Sequence, residues 1–212
     1  MSWIRPSRSA TNVLKLCQIG DGAMKKLLHF SLLTFALIIS GQSSVKAGEL
    51  LFGEGDKWVV FQGPIRTEEM DGLLSQLDEK KPEQILLNSV GGNLTGAMRF
   101  ARYVREKEMD TWIAKNQTCV SACALVFLAG VERFSEGKLI VHQFLPTPGQ
   151  GDAYATWDAA FIGVQRMVGE IITLLNSFDT PPFVFERILS SPNLYEFTEA
   201  EMAELTTITS FK

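Results

Sequence analysis

Histidine, cysteine and basic charge are all scarce in this chain. Of its 212 residues two are His and three are Cys, and 20 Lys and Arg are outnumbered by 24 Asp and Glu. Each shortage excludes something. A structural zinc site draws on four regularly spaced Cys or His ligands, and the two Cys and one His found after position 47 do not close a tetrahedral shell. Neither a metal nor another cofactor is expected. An acidic chain lacks the cationic surface that neutralises phosphates, so nucleic acid is not an expected partner. No internal repeat and no low-complexity segment is visible, which argues against solenoids and linkers. Apolar residues, by contrast, make up 46% of the chain, enough for the packed core of one globular domain.

The first 47 residues read as separate from that domain. Met24-Lys25-Lys26 is a short basic head, Leu27 to Ser40 an apolar stretch, and Val45-Lys46-Ala47 a small-x-small cleavage site. This is the pattern of an export signal cut after Ala47, with the domain spanning 48–212. The apolar stretch is shorter than the ~20 residues a membrane span needs, and an uncleaved inner-membrane anchor is the alternative. Met24 stands directly before the basic pair and is a second candidate start of translation. Residues 1–47 hold six Lys or Arg and one Asp, so the remainder carries fourteen basic and twenty-three acidic residues, a net charge of −9. Cys17 leaves with the leader. Cys119 and Cys123 then face an oxidising compartment, either bridged or as two buried thiols. A helical spacing of four puts their Cα atoms about 6 Å apart, within disulfide range.

Hydrophobic periodicity sets out an alternation of strands and helices. Lys57 to Gln62 reads as a strand, followed by the turn Gly63-Pro64. Thr67 is the expected cap of a helix carrying Met70, Leu73, Leu74 and Leu77, which Pro82 ends. Ile85 to Asn88 is a short apolar strand of the kind buried on both faces of a parallel sheet. An amphipathic helix is expected from Leu94 to Lys107 and a strand at Thr111–Ala114. Ser121 to Leu128 is a helix too apolar for the surface. Further strands fall at Glu132–Phe134 and Leu139–His142, with a loop over Leu145–Tyr154 and a long helix from Thr156 to Ser177. Thr180 is the expected cap of a helix with proline in its first turn, and Thr198-Glu199-Ala200-Glu201 opens a last one as a capping box. The order implies an α/β layered fold with right-handed crossovers.

Three stretches carry side chains or turns fit for chemistry. Gly91 and Gly92 close a strand just before a helix, where backbone N–H groups can approach a negative ligand; a ligand-free turn would also use them. Ser121 opens a small-residue helix, as a nucleophile or simply as an N-cap, and the Ala122 N–H next to it would favour an oxyanion. His142 ends a strand. A core histidine is the plain reading, but imidazole is also the side chain best suited to deprotonate a serine near neutral pH, and without a base Ser121 is a weak nucleophile.

Leu86-Leu87-Asn88-Ser89-Val90-Gly91-Gly92-Asn93-Leu94, then Ser121 opening an apolar helix, then Val141-His142-Gln143, together resemble the Clp protease proteolytic subunit of the ClpP/crotonase superfamily, over roughly Trp58 to Leu205. The Cys-Val-Ser-Ala-Cys turn is similar to that of exported, periplasmic ClpP-like proteins. The resemblance implies a layered fold of repeated ββα-type units with a protruding long helix that joins subunits into a homo-oligomer. It implies Ser121 as nucleophile, His142 as general base, and the Gly91 and Ala122 N–H groups as the oxyanion hole. Two departures stand out. The family places an aspartate where this chain has Ile188-Leu189-Ser190-Ser191, leaving Asp179 as a weak surrogate acid with Glu186 nearby; and Val90 replaces a proline.

The expected activity is hydrolysis of peptide bonds in peptides or unfolded proteins that arrive without an ATPase partner, because the periplasm lacks ATP. The alternative is a ClpP-like module that binds peptides or assembles without catalysis. Acyl-CoA chemistry shares the oxyanion geometry, but coenzyme A thioesters are cytoplasmic and no basic nucleotide-binding cluster is visible.

Overall fold

The computed structural model describes residues 48–143 and 157–207. The expected leader, the loop Leu145–Tyr154 and the first residue of the long helix lie outside the described residues.

Five strands build the main sheet in the order β1-β2-β3-β4-β6. They are β1 (Glu49–Phe52), β2 (Trp58–Gln62), β3 (Gln84–Asn88), β4 (Asp110–Ile113) and β6 (Arg133–Ser135). β1 runs antiparallel to β2 and the rest are parallel, with Phe61 opposite Leu87 and Leu86 opposite Trp112. One face is fully covered: Val59, Phe61, Ile85, Leu87 and Ile113 are buried. The alternate residues of β3 are half-buried, so this strand is closed on one face rather than on both. A second, smaller sheet has the order β5-β7-β8, from β5 (Thr118–Val120), β7 (Lys138–Val141) and β8 (Tyr195–Glu196). The bridge between Ser89 and Cys119 joins the two sheets just past β3.

Helix α1 (Met70–Lys80) covers the sheet with Met70, Leu73 and Leu77. It starts three residues after the expected cap. The Thr67 hydroxyl is instead hydrogen-bonded to Asn93 Oδ1, 2.5 Å away. At the other end Lys81 takes a left-handed conformation, its N–H returns to the Leu77 carbonyl, and Pro82 prevents a further turn. In α2 (Leu94–Glu106) the Asn93 side chain caps the first turn through the Gly96 N–H. Its buried stripe of Ala97, Phe100, Ala101 and Val104 lies on the sheet, with Phe100 edge-on to Phe61 at 5.2 Å.

α3 (Cys123–Leu128) is buried along its whole length. Each large side chain sealed there, Leu125 and Phe127 among them, stabilises the fold by about 1.5–3 kcal/mol. α4 (Trp157–Asn176) is amphipathic but enters the core only late: Ile171, Leu174 and Leu175 are buried, while Phe161 and Ile162 are 56% exposed. Among the described residues no helix is long and apolar enough to cross a membrane.

The last elements among the described residues are α5 (Pro182–Ser190), β8 and α6 (Glu199–Leu205). Thr180 is not the cap of α5, which Pro181 precedes; its hydroxyl is buried and has no hydrogen-bond partner among the described residues. α6 has the expected reciprocal capping box between Thr198 and Glu201. The Glu201 carboxyl is raised by burial but more than recovered by the Thr198 N–H, the Tyr195 hydroxyl, Arg187 and the Thr198 hydroxyl, which together hold it at about 2. Arg133 ties Leu205 and Thr207, the last of the described residues, to β6. Buried in the core, it donates to the carbonyls of Leu205, Leu128 and Gly130, and its backbone pairs with Thr207.

Candidate active site

Ser121 sits in the turn between β5 and α3 with φ of +57°. A left-handed conformation costs a residue with a Cβ about 1–3 kcal/mol and persists only where its surroundings impose it. Here they do. The Ser121 N–H donates to the Ile140 carbonyl of β7 at 2.7 Å, and the Ser121 carbonyl accepts from the Ala124 N–H at 3.0 Å. Just before it, the Val120 N–H donates to the Ser89 carbonyl. The residue is therefore not the helix N-cap that its type suggested. α3 starts two residues later with no side-chain cap, and Ser121 stays half-exposed at a sharp strand-to-helix bend.

Gly91 packs directly on that bend. Its φ is +82°, and a Cβ there would lie 2.4 Å from the Val120 carbonyl oxygen and 2.9 Å from the Ala122 nitrogen. Only glycine fits so close. The two candidate oxyanion donors are nonetheless in different states. Among the described residues the Ala122 N–H has no acceptor, whereas the Gly91 N–H donates to the Ser89 hydroxyl at 3.0 Å. Ser89 is buried, and its hydroxyl donates onward to the Gly63 carbonyl at 2.6 Å. Sequence reading missed this pair. The signal was present as a serine two residues before a glycine, the spacing at which a hydroxyl accepts a backbone N–H.

His142 follows β7, whose Ile140 carbonyl holds Ser121, so the strand delivers the imidazole to the same end of the small sheet as the serine turn. The ring is half-buried, and its Nδ1 lies 2.7 Å from the Gln143 carbonyl oxygen. A carbonyl only accepts. In the neutral ring the proton therefore belongs on Nδ1, and Nε2 keeps the lone pair that a general base uses. The Gln143 N–H is held in turn by the Ser191 carbonyl at 2.7 Å. Ser191 belongs to the stretch where the resemblance calls for an aspartate; what that stretch presents to the histidine strand is a backbone oxygen.

The surrogate acids lie elsewhere. Asp179 is exposed in a left-handed turn after α4, where its charge favours the protonated Arg105 and Arg133. Glu186 is exposed and lies 3.5 Å from Arg187. Among the described residues neither carboxylate is hydrogen-bonded or ion-paired with His142. Cys119 and Cys123 are joined in a disulfide with Cα atoms 5.3 Å apart. Among the described residues no group of three or more His, Cys, Asp or Glu is placed to hold a metal ion.

No family model and no curated protein matches the chain. Solved structures do. A ClpP1 mutant from Listeria monocytogenes aligns with a TM-score of 0.53 and 18% identity, over 71% of this chain and 87% of that one. The fold is ClpP-like. At 18% identity the likeness concerns architecture alone. Gly91 packs against Ser121 and Ala122, and β7, which leads to His142, is bonded to the serine turn through the Ile140 carbonyl. Among the described residues no hydrogen bond joins the Ser121 hydroxyl to the His142 ring, and Asp179 is not bonded to either.

Proposed function

We propose that the protein is an exported serine peptidase with Ser121 as nucleophile and His142 as general base. The observation that carries this reading is the left-handed Ser121 turn, held against Gly91 and bonded to the strand that leads into His142. In the proposed reaction the Ser121 Oγ attacks the carbonyl carbon of a peptide bond while its proton passes to His142 Nε2. The oxygen that becomes negative is met first by the free Ala122 N–H. Gly91 adds its own N–H when it turns from the Ser89 hydroxyl, which keeps Gly63 as acceptor. The imidazolium then protonates the leaving amine, and water, deprotonated by the same nitrogen, releases the acyl group. The Gln143 carbonyl does part of an acid's work by orienting the ring. It cannot offset the imidazolium charge as a carboxylate does, so turnover is slow.

In this reading the substrates are unfolded segments or short peptides bound in extended form along a strand edge beside the Gly91 turn, and the protein works as a homo-oligomer without an unfoldase because the exported compartment holds no ATP. A fluorophosphonate probe tests the chemistry, since its phosphorus accepts the Ser121 Oγ and loses fluoride. The wild type should be labelled and Ser121→Ala should not. A folded wild type that stays unlabelled would sink this reading.

The second reading, a binding or assembly module without catalysis, is favoured by the absence of a carboxylate on His142 among the described residues and by the engagement of the Gly91 N–H with Ser89. It predicts that peptides bind without being cut.

A further inference from the structure

We propose that the Cys119–Cys123 cystine is a positioning clamp that keeps the Ser121 hydroxyl and the Ala122 N–H in working alignment. This rests on the hydrolytic reading of the site for its consequence, though not for its geometry. The bond spans four positions and encloses Val120, Ser121 and Ala122, so the proposed nucleophile and the free oxyanion donor both lie inside the covalent ring. Neither flanking element is built to hold the turn alone. β5 is three residues long and α3 six, and the first turn of α3 lacks any side-chain cap. Its first residue, Cys123, is tied instead to β5.

The need for a tie is local. Ser121 occupies a backbone region that a residue with a Cβ leaves readily when its surroundings slacken, and φ at this residue decides where the hydroxyl points. Both sulfurs belong to fully buried residues within the core. A thiol reagent in solution therefore reaches them only after local opening, which suits a permanent tie better than a rapidly cycled switch. Loop closure over so short a span constrains the unfolded chain less than a long-range bridge would, so the contribution falls on the geometry of the turn more than on global stability.

The test compares the full chain with the bridge closed and open. Dithiothreitol, in urea low enough to leave the fold intact, transfers two hydrogens to the cystine and itself becomes a cyclic disulfide. Oxidised glutathione reverses the change and leaves two glutathione thiols. Two readouts are followed: the saturation kinetics of fluorophosphonate labelling, and amide hydrogen exchange in the 119–124 segment. Opening the bridge should lower the limiting labelling rate by about tenfold to a hundredfold, with little change in probe affinity. Exchange at 119–124 should rise while β2, β3 and β4 keep their protection, and reoxidation should restore both. Cys119→Ala/Cys123→Ala should match the reduced protein and not recover.

Unchanged exchange at 119–124 on reduction would overturn the clamp, and so would unfolding of the whole domain, which would make the bridge a stability element. If the oxidised protein is never labelled, hydrolysis fails as a reading and the exchange measurement still decides the clamp.

Discussion

Replacing Ser121 by glycine should produce a more stable protein than replacing it by alanine. At most positions the opposite holds, because glycine loses more backbone freedom on folding, by about 0.4–1 kcal/mol relative to alanine. Ser121 has φ of +57°, where a Cβ meets its own backbone at a cost of about 1–2 kcal/mol. Alanine keeps that cost and glycine removes it. The difference leaves Ser121→Gly about 0.5–1 kcal/mol more stable than Ser121→Ala. The partners around the residue are the Ile140 carbonyl, the Ala124 N–H, the packed Gly91 and the Cys119–Cys123 bridge, none of which either substitution removes. Urea unfolding of the two variants at neutral pH, with equal m-values confirming the same denatured state, measures the difference directly. An alanine variant more stable than the glycine variant would show that residue 121 carries no left-handed strain, and the argument for an imposed nucleophile turn would go with it.

Gly91→Ala should be destabilising by roughly 2–4 kcal/mol, combining a positive φ with a 2.4 Å approach to the Val120 oxygen, and should abolish fluorophosphonate labelling. Gly169→Ala in the open face of α4 should stabilise by about 0.5–1 kcal/mol, so equal unfolding midpoints for the two would contradict the packing described. Arg133→Met should lose about 2–4 kcal/mol by leaving the Leu205, Leu128 and Gly130 carbonyls without their donor; a thermal midpoint equal to that of wild type would refute the anchor. The Glu201 carboxyl lies at about 2 in the folded protein against 4.5 ordinarily, so its contribution is complete above the higher value and lost as pH falls towards the lower. Urea midpoints measured from pH 6 to pH 2.5 should decline more steeply in wild type than in Glu201→Gln, and parallel declines would count against it.

Hydrophobic spacing within the sequence was enough for the larger elements. β2, α2, α3, the described part of the long helix and the α6 capping box fall within a few residues of where periodicity and caps put them, because each is set by side chains within a turn or two of each other. The α/β class follows from their order. The candidate site was legible as three separate stretches, at Gly91, Ser121 and His142, since glycine, serine and imidazole mark their chemistry wherever they occur.

What tertiary structure alone decided is how those stretches are held. β8 is two residues long and has no pattern of its own; it exists because Val141 and Ile140 lie beside it. Thr67 reads as a helix cap from its neighbours, yet its hydroxyl goes to Asn93, 26 residues away. Ser121 reads as a cap too, yet it is a left-handed turn with β7, Gly91 and the Cys119–Cys123 bridge closed around it. The Gly91 N–H bound to Ser89 and the Gln143 carbonyl beside His142 Nδ1 are products of the same closure. Local sequence specifies which conformations a segment can adopt at low cost; the one it keeps depends on partners brought from distant parts of the chain.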